Sequence, residues 1–311
     1  MATDVDKMLV TEVKGGIGTV FVNRPERANV LSSRMFKKFI ETLTAWADDE
    51  KVLVIVIRAA GDRVFIGGAD TKEIVRDKRP ETEEEKRQLI TRDMAMATLM
   101  CNLTGRIMSC PQPVIAAING GAFATGRMVA EACDIRIVAD NVTWGVADLM
   151  NKGGGKRALG PNFMAAQRTI NLVGLPRAME IMLFAKPIDA KTGVDIGLFS
   201  MAVPLKDVTK IAYEVAEGLI ARLTPTTLRT VKPIMQTVMN YQTPTTADKA
   251  KVTKMVTDGY GTDDFIEITK LWFKGQPPVK LDGKGPVRPV HFVDDQTQAA
   301  VEQALKTLGV S

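Results

Sequence analysis

Apolar positions along the chain are grouped in two ways. Val52-Leu-Val-Ile-Val-Ile-Arg is apolar at consecutive positions, the pattern of a strand covered on both faces. The same buried-strand pattern recurs in Val114-Ile-Ala-Ala-Ile and in Ile135-Arg-Ile-Val-Ala, and Gly16-Ile-Gly-Thr-Val-Phe-Val-Asn reads as part of a short strand pair. Between these runs the spacing becomes helical over residues 34–48, and a polar stretch at 76–92 reads as the solvated start of a helix continuing over about 94–108. Pro111 and Pro113 stop that helix. Layers of helix and sheet are therefore expected.

Further on, residues 177–182 and 189–198 have helical spacing and precede a short strand, Ser200-Met-Ala-Val-Pro. From 205 to 272 the pattern is almost entirely helical, with boundaries at Thr224-Pro225 and Thr243-Pro244. Residues 275–286 are linker-like, 294–308 could form one amphipathic helix, and no repeat of fixed period is visible.

Composition narrows the function more than the fold. The 311 residues are 45% hydrophobic and 25% charged, which excludes a disordered or collagen-like chain. The longest apolar run, Val52 to Ile57, falls far short of the roughly 20 residues of a membrane span. The start, Met1-Ala2-Thr3-Asp4, has no charged region followed by an apolar one, so a cytoplasmic protein without membrane association is expected. A net charge of +5 suits an anionic ligand, but the basic residues are mixed with 36 acidic ones and aromatics are 5%, so nucleic acid is not favoured.

Cys101, Cys110 and Cys133 are an odd number without metal-ligand spacing and read as buried small hydrophobes. With His291 as the single histidine, acid–base chemistry falls to carboxylates. Met94, Met96, Met100 and Met108 read as core filler.

Two glycine turns could carry chemistry. In Val64-Phe-Ile-Gly-Gly-Ala-Asp-Thr-Lys-Glu-Ile a strand end meets Gly67 and Gly68 before a possible helix start; the bland alternative is an ordinary turn capped by Asp70. In Val114-Ile-Ala-Ala-Ile-Asn-Gly-Gly-Ala-Phe-Ala-Thr-Gly a buried strand runs into Gly120 and Gly121, and small residues open a helix. Two such turns together present backbone N–H groups suited to an oxyanion.

With Asn23-Arg-Pro-Glu-Arg-Ala-Asn-Val-Leu, the two glycine turns extended to Ile74 and Ala139, and Gly174-Leu-Pro-Arg-Ala-Met-Glu-Ile through Gly197-Leu, the chain resembles the enoyl-CoA hydratase/isomerase family, the crotonase superfamily, over roughly residues 7–275. The resemblance implies an α/β fold, a spiral of ββα units with a helical C-terminal oligomerisation region assembling trimers or dimers of trimers. It divides the chain into a spiral core at 1–204, a helical region at 205–275 and an unmatched extension at 276–311. It also implies an acyl-CoA substrate, with no cofactor beyond coenzyme A as part of the thioester and no metal. By position the two polarising N–H groups are those of Ala69 and Thr125. Coenzyme A would run along Arg27, Ala28, Val30, Gly67, Asp70 and Thr71, with Lys72 suited to its phosphates.

The departures bear on the reaction. Met128 stands where family hydratases carry their first glutamate, and Asp148 takes the place of the second. Thr125 replaces a glycine but keeps its N–H. Asp148 is the leading acid/base, with a helix or turn cap as the plain alternative. Glu131, one helical turn after Met128, is a weaker candidate that could instead form a salt bridge. Asp134 and Arg136 match a scaffold stretch. The segment after Asp148 is about six residues longer than the family pattern, and reads either as a basic lid, with Lys152, Lys156 or Arg157 meeting a substrate carboxylate, or as a solvated loop.

One carboxylate favours proton shuttling or hydrolysis: an enoyl-CoA isomerase can work with a single acid–base group, hydration stays open if Asp148 alone activates water, and hydrolytic C–C cleavage of a 3-oxoacyl-CoA is an alternative. A catalytically silent CoA-binding subunit is the competing reading.

Overall fold

The computed structural model describes residues 4–70, 82–145, 163–184 and 187–239. After a short helix α1 (Asp4–Met8), the hairpin β1 (Leu9–Lys14) and β2 (Ile17–Val22) leads through a 3-10 turn (Pro25–Arg27) to α2 (Ser33–Asp48). Three strand–strand–helix units follow. They are β3 (Val54–Ala59), β4 (Val64–Ile66) and α3 (Glu83–Ser109); β5 (Val114–Ile118), β6 (Gly121–Ala122) and α4 (Thr125–Ala132); and β7 (Ile135–Ala139), β8 (Thr143–Trp144) and α5 (Phe163–Phe184). The chain continues through β9 (Ile188–Asp189), α6 (Ala190–Asp195), β10 (Met201–Val203), α7 (Val208–Arg222) and α8 (Pro225–Met239).

The first strand of each unit joins one sheet of order β1-β2-β3-β5-β7-β10, antiparallel only between β1 and β2. The second strands lie outside it: β4 pairs with β6, and β8 with β9. This alternation is what makes the chain a spiral rather than a flat doubly wound sheet. Four of the six β3 positions and all of β5 are buried in succession, which explains their unbroken apolar runs. Helix α2 is started by Ser32, whose Oγ accepts from Met35 N–H at 3.3 Å, and it buries Met35, Phe36, Phe39, Leu43 and Trp46 at i, i+3, i+4 spacing.

Some elements differ from the sequence reading. The segment at 177–182 is the second half of α5, which begins at Phe163 and bends at Gly174 (φ 76°) just before Pro176. The helix expected over 189–198 is shorter, because Asp189 caps it through the Thr192 N–H at 2.7 Å and Gly197 (φ 79°) follows its end. Cys110 and Cys133 are buried as expected, but Cys101 is half-buried, and none of the three is in a disulfide. Met96 is buried, whereas Met100 and Met108 are half-buried.

Asp134 and Arg136 are scaffold. The Asp134 carboxylate accepts from Val114 N–H at 2.8 Å, tying β7 to β5, and Arg136 Nε donates to Leu198 O at 2.7 Å. Burial, and then the nearby Arg168, hold the Arg136 guanidinium below its ordinary pKa.

Two compact units divide the chain, Met1–Glu217 and Gly218–Ser311, with the boundary inside α7. Within the first, Tyr213 of α7 shares a 2.8 Å hydrogen bond with Thr19 of β2. In the second, α8 opens on Pro225 after a Thr224 cap whose Oγ1 accepts from Thr227 N–H at 3.2 Å. The expected helix at 294–308 and His291 lie outside the described residues.

Candidate active site

β4 and β6 run parallel, with Val64 opposite Gly121 and Ile66 opposite Ala122, so the turns leaving them lie side by side. Gly121 N–H donates to Arg63 O at 2.9 Å and Phe123 N–H to Ile66 O at 3.1 Å. The approach is close enough that a Cβ on Gly126 would sit 1.9 Å from Ile66 O, and one on Gly68 (φ 118°) would sit 4.0 Å from Thr125 N. Glycine at both positions lets one turn rest on the other.

Ala69 forms an isolated parallel bridge with Leu31, in which Leu31 N–H donates to Gly68 O and Asp70 N–H to Leu31 O, both at 2.8 Å. In such a bridge the flanking residues make the bonds, so the N–H of Ala69 itself faces away from Leu31. Thr125 is the first residue of α4, where backbone donors have no intrahelical acceptor. Among the described residues no acceptor meets the N–H of either Ala69 or Thr125. Both residues are buried. The residue between the turns, Ala124, has φ 46° and ψ −116°, a strained conformation for a residue with a side chain. The arrangement offers two adjacent, desolvated donors at the positive end of a helix, which can stabilise negative charge on one oxygen.

The residues expected along coenzyme A gather on the other flank of the Gly67–Asp70 turn. Ala28 and Asn29 are consecutive left-handed residues (φ 51° and 52°), and Gly67 N–H donates to Ala28 O at 2.9 Å. Asp70 is buried, its carboxylate 2.8 Å from Arg24 Nη1 and 3.5 Å from Arg27 Nη2. It therefore organises two cations. Arg24 also reaches Val30 O at 3.4 Å, so Arg27, Ala28, Val30, Gly67 and Asp70 share one corner. A cleft of about 340 Å³ opens beside it, against Ala28, Asn29, Asp62 and Arg63.

Helix α4 is buried at every position. Met128 occupies its first turn without an ionisable group. Glu131 is 1% exposed, with Oε1 2.8 Å from Arg127 Nη1 and Oε2 accepting from Thr169 Oγ1 at 2.8 Å; Arg127 also donates to Thr169 Oγ1 at 3.1 Å. Both carboxylate oxygens are thus engaged, the salt-bridged arrangement weighed as the alternative for this residue. Asp148, Thr71, Lys72, Lys152, Lys156 and Arg157 lie outside the described residues.

Three contributors escaped the sequence reading. Arg24 and Asn29 lay inside a quoted motif, but nothing in its spacing pointed to Asp70 or to the Asn29 Nδ2 contacts with Ala60 O and Val64 O, both 2.8 Å. Thr169 lies 38 residues from Glu131 and had no local signal.

A spiral of ββα units built on this sheet is the crotonase fold. Residues 12–276 match the enoyl-CoA hydratase/isomerase family profile, and the chain belongs to that family. Over 213 residues it is 28% identical to the short-chain-enoyl-CoA hydratase of Clostridium acetobutylicum, covering 68% of this chain and 75% of that protein. It is also 28% identical over 228 residues to the hydroxycinnamoyl-CoA hydratase-lyase of Pseudomonas fluorescens, covering 73% and 77%. The crystal structure of enoyl-CoA hydratase from Bacillus anthracis superposes with a TM-score of 0.71 at 24% identity, over 89% of this chain and 100% of that one. The chain is thus an acyl-CoA-processing enzyme of the hydratase/isomerase type. Among the described residues no helix is long and apolar enough to cross a membrane.

Proposed function

We propose that the N–H groups of Ala69 and Thr125 receive the carbonyl oxygen of an acyl-CoA thioester and that Asp148 moves the proton. The observation that carries this reading is the pair of buried, acceptor-free donors on adjacent turns. For a 3-enoyl thioester, the Asp148 carboxylate takes the α-proton and the C–H electrons pass to the carbonyl oxygen. The resulting dienolate is held by the two donors, and the same carboxyl returns the proton at the γ-carbon. For a 2-enoyl thioester, Asp148 would take a proton from water as the water oxygen adds at the β-carbon, and return that proton to the α-carbon of the enolate. Met128 at the first glutamate's place supports a one-carboxylate mechanism.

Arg27, Ala28, Val30, Gly67, Asp70, Thr71 and Lys72 would line the coenzyme A site, with Asp70 holding Arg24 and Arg27 ready for phosphate. A cytoplasmic homotrimer or dimer of trimers fits this reading, and the exposed Val231, Met235 and Val238 at i, i+4, i+7 on α8 support self-association.

The test is mass spectrometry of 2-enoyl, 3-enoyl and 3-oxoacyl thioesters incubated in deuterated water with wild type and Asp148→Asn. Added water marks hydration, deuterium exchange without added water marks isomerisation, and a cleaved acid marks hydrolytic C–C cleavage. Turnover by wild type that Asp148→Asn loses is expected. The absence of Glu at Met128 also favours a second reading, a silent subunit, whose signature is thioester binding without turnover or exchange.

A further inference from the structure

We infer that the Thr125 hydroxyl is a third donor to the thioester oxygen, an inference that rests on the acyl-CoA reading above. Its Oγ1 is buried and meets no hydrogen-bond partner among the described residues, and the residue is 1% exposed. A buried polar atom without a partner is costly to keep and calls for an explanation.

Other side chains with an unpaired buried atom are anchored by a second contact. Gln112 and Asn119 donate through their amide nitrogens, Arg127 through Nη1, and Arg58 lies 3.8 Å above the Phe21 ring. The Trp144 indole packs edge-on against Phe199 at 5.1 Å. Thr125 has no such contact, and its hydroxyl belongs to the residue whose N–H is also free, at the first position of α4. Three covalent bonds separate that nitrogen from Oγ1, so one ligand oxygen can accept from both. In the first turn of a helix these donors, with the dipole end behind them, converge on negative charge. The threonine where the family has glycine thus adds a proton donor without removing the backbone one. Because the hydroxyl stays neutral while it donates, it strengthens the hold on an enolate more than on the less charged ground-state carbonyl.

The experiment uses acetoacetyl-CoA, a 3-oxoacyl thioester with an acidic α-proton. Its bound enolate fraction is read by ultraviolet difference absorbance, and its affinity separately by calorimetry. Wild type should raise the enolate-to-keto ratio above that in buffer. Thr125→Val should lower that ratio about tenfold or more at a similar keto-form affinity, Thr125→Ala should do the same, and Thr125→Ser should stay close to wild type. Removal of an unpaired hydroxyl should leave Tm equal or raised in Thr125→Val, whereas a structural hydroxyl would lower it. If Thr125→Val fails to fold, Thr125→Ala makes the same deletion.

Equal enolate ratios in wild type and the hydroxyl-free variants overturn the Thr125 role alone. A bound thioester that forms no enolate in wild type overturns the oxyanion reading and this inference together. Failure to bind any thioester overturns the acyl-CoA reading itself.

Discussion

The two ends of α4 treat buried polar groups in opposite ways. From its third residue to its C-terminal turn, Arg127 and Glu131 close on each other and on Thr169 at 2.8 to 3.1 Å. At its first residue, the Thr125 N–H and Oγ1 find no partner among the described residues, and Ala124 holds a strained backbone. A helix that satisfies its charges at one end and leaves neutral donors open at the other separates support from chemistry. The hydrogen bonds of Arg127 and Glu131 to Thr169 tie α4 to α5, and the open donors are those we propose for a ligand oxygen. Burial or charge alone would have singled out Glu131; satisfaction of hydrogen bonds singles out Thr125.

Breaking the closed end should have the largest effect. Glu131→Ala leaves the Arg127 guanidinium buried without its counter-charge, and stability should fall by about 3–5 kcal/mol. Thermal unfolding checks this, and a loss below about 1 kcal/mol would mean that water replaces the carboxylate. Where the variant remains folded, the pH profile of turnover should keep its shape, since Glu131 moves no proton in this account.

Gly126→Ala comes next. Its Cβ would meet Ile66 O at 1.9 Å, a backbone atom that cannot swing aside. Overpacking of this kind costs about 1–3 kcal/mol or more, and separating the two turns should abolish thioester polarisation even in the folded fraction. Activity near wild type would show that the turns need not touch.

A gain is expected from Ala124→Gly. It relieves about 1–3 kcal/mol of backbone strain against roughly 0.5–1 kcal/mol of added chain entropy, so chemical denaturation should find the variant more stable by about 1 kcal/mol. Unchanged or lower stability would mean that the Ala124 conformation carries no strain.

The smallest effect lies far from the site. The Thr192 backbone N–H, and then its side chain, hold the Asp189 carboxyl below its ordinary pKa. A depressed folded pKa stabilises the fold above the unfolded value of about 3.9, and that contribution is lost as pH falls through the folded value. Asp189→Asn should remove this acid-side slope and lower neutral-pH stability by the small amount that the slope represents, as urea unfolding across acid to neutral pH would read.

What the sequence made legible follows from how each element is stabilised. β3, β5 and β7 are buried along their length, so their apolar runs announce them, and α2 is marked by its Ser32 cap and apolar face. The pairs β4 with β6 and β8 with β9 have only two or three residues per strand, too few for any periodicity, although the first pair sets the turns side by side. The first half of α5 follows a glycine-rich segment and ends at Gly174, and its apolar residues form no one-sided helical stripe that would mark it. At the site, the glycine turns and their donors were readable as motifs. The closure of Glu131 with Thr169 was not, because the partners meet only through packing of α4 on α5.

If Ala69 and Thr125 direct two N–H groups at the thioester oxygen, as proposed, the bond between that oxygen and its carbon must weaken on binding. Infrared difference spectra of an acyl-CoA carrying ¹³C at the thioester carbonyl, free and bound to the protein, isolate this stretch. Binding should shift it to lower frequency, and by less in the Gly126→Ala variant. A bound carbonyl at or above its frequency in water would contradict the proposal.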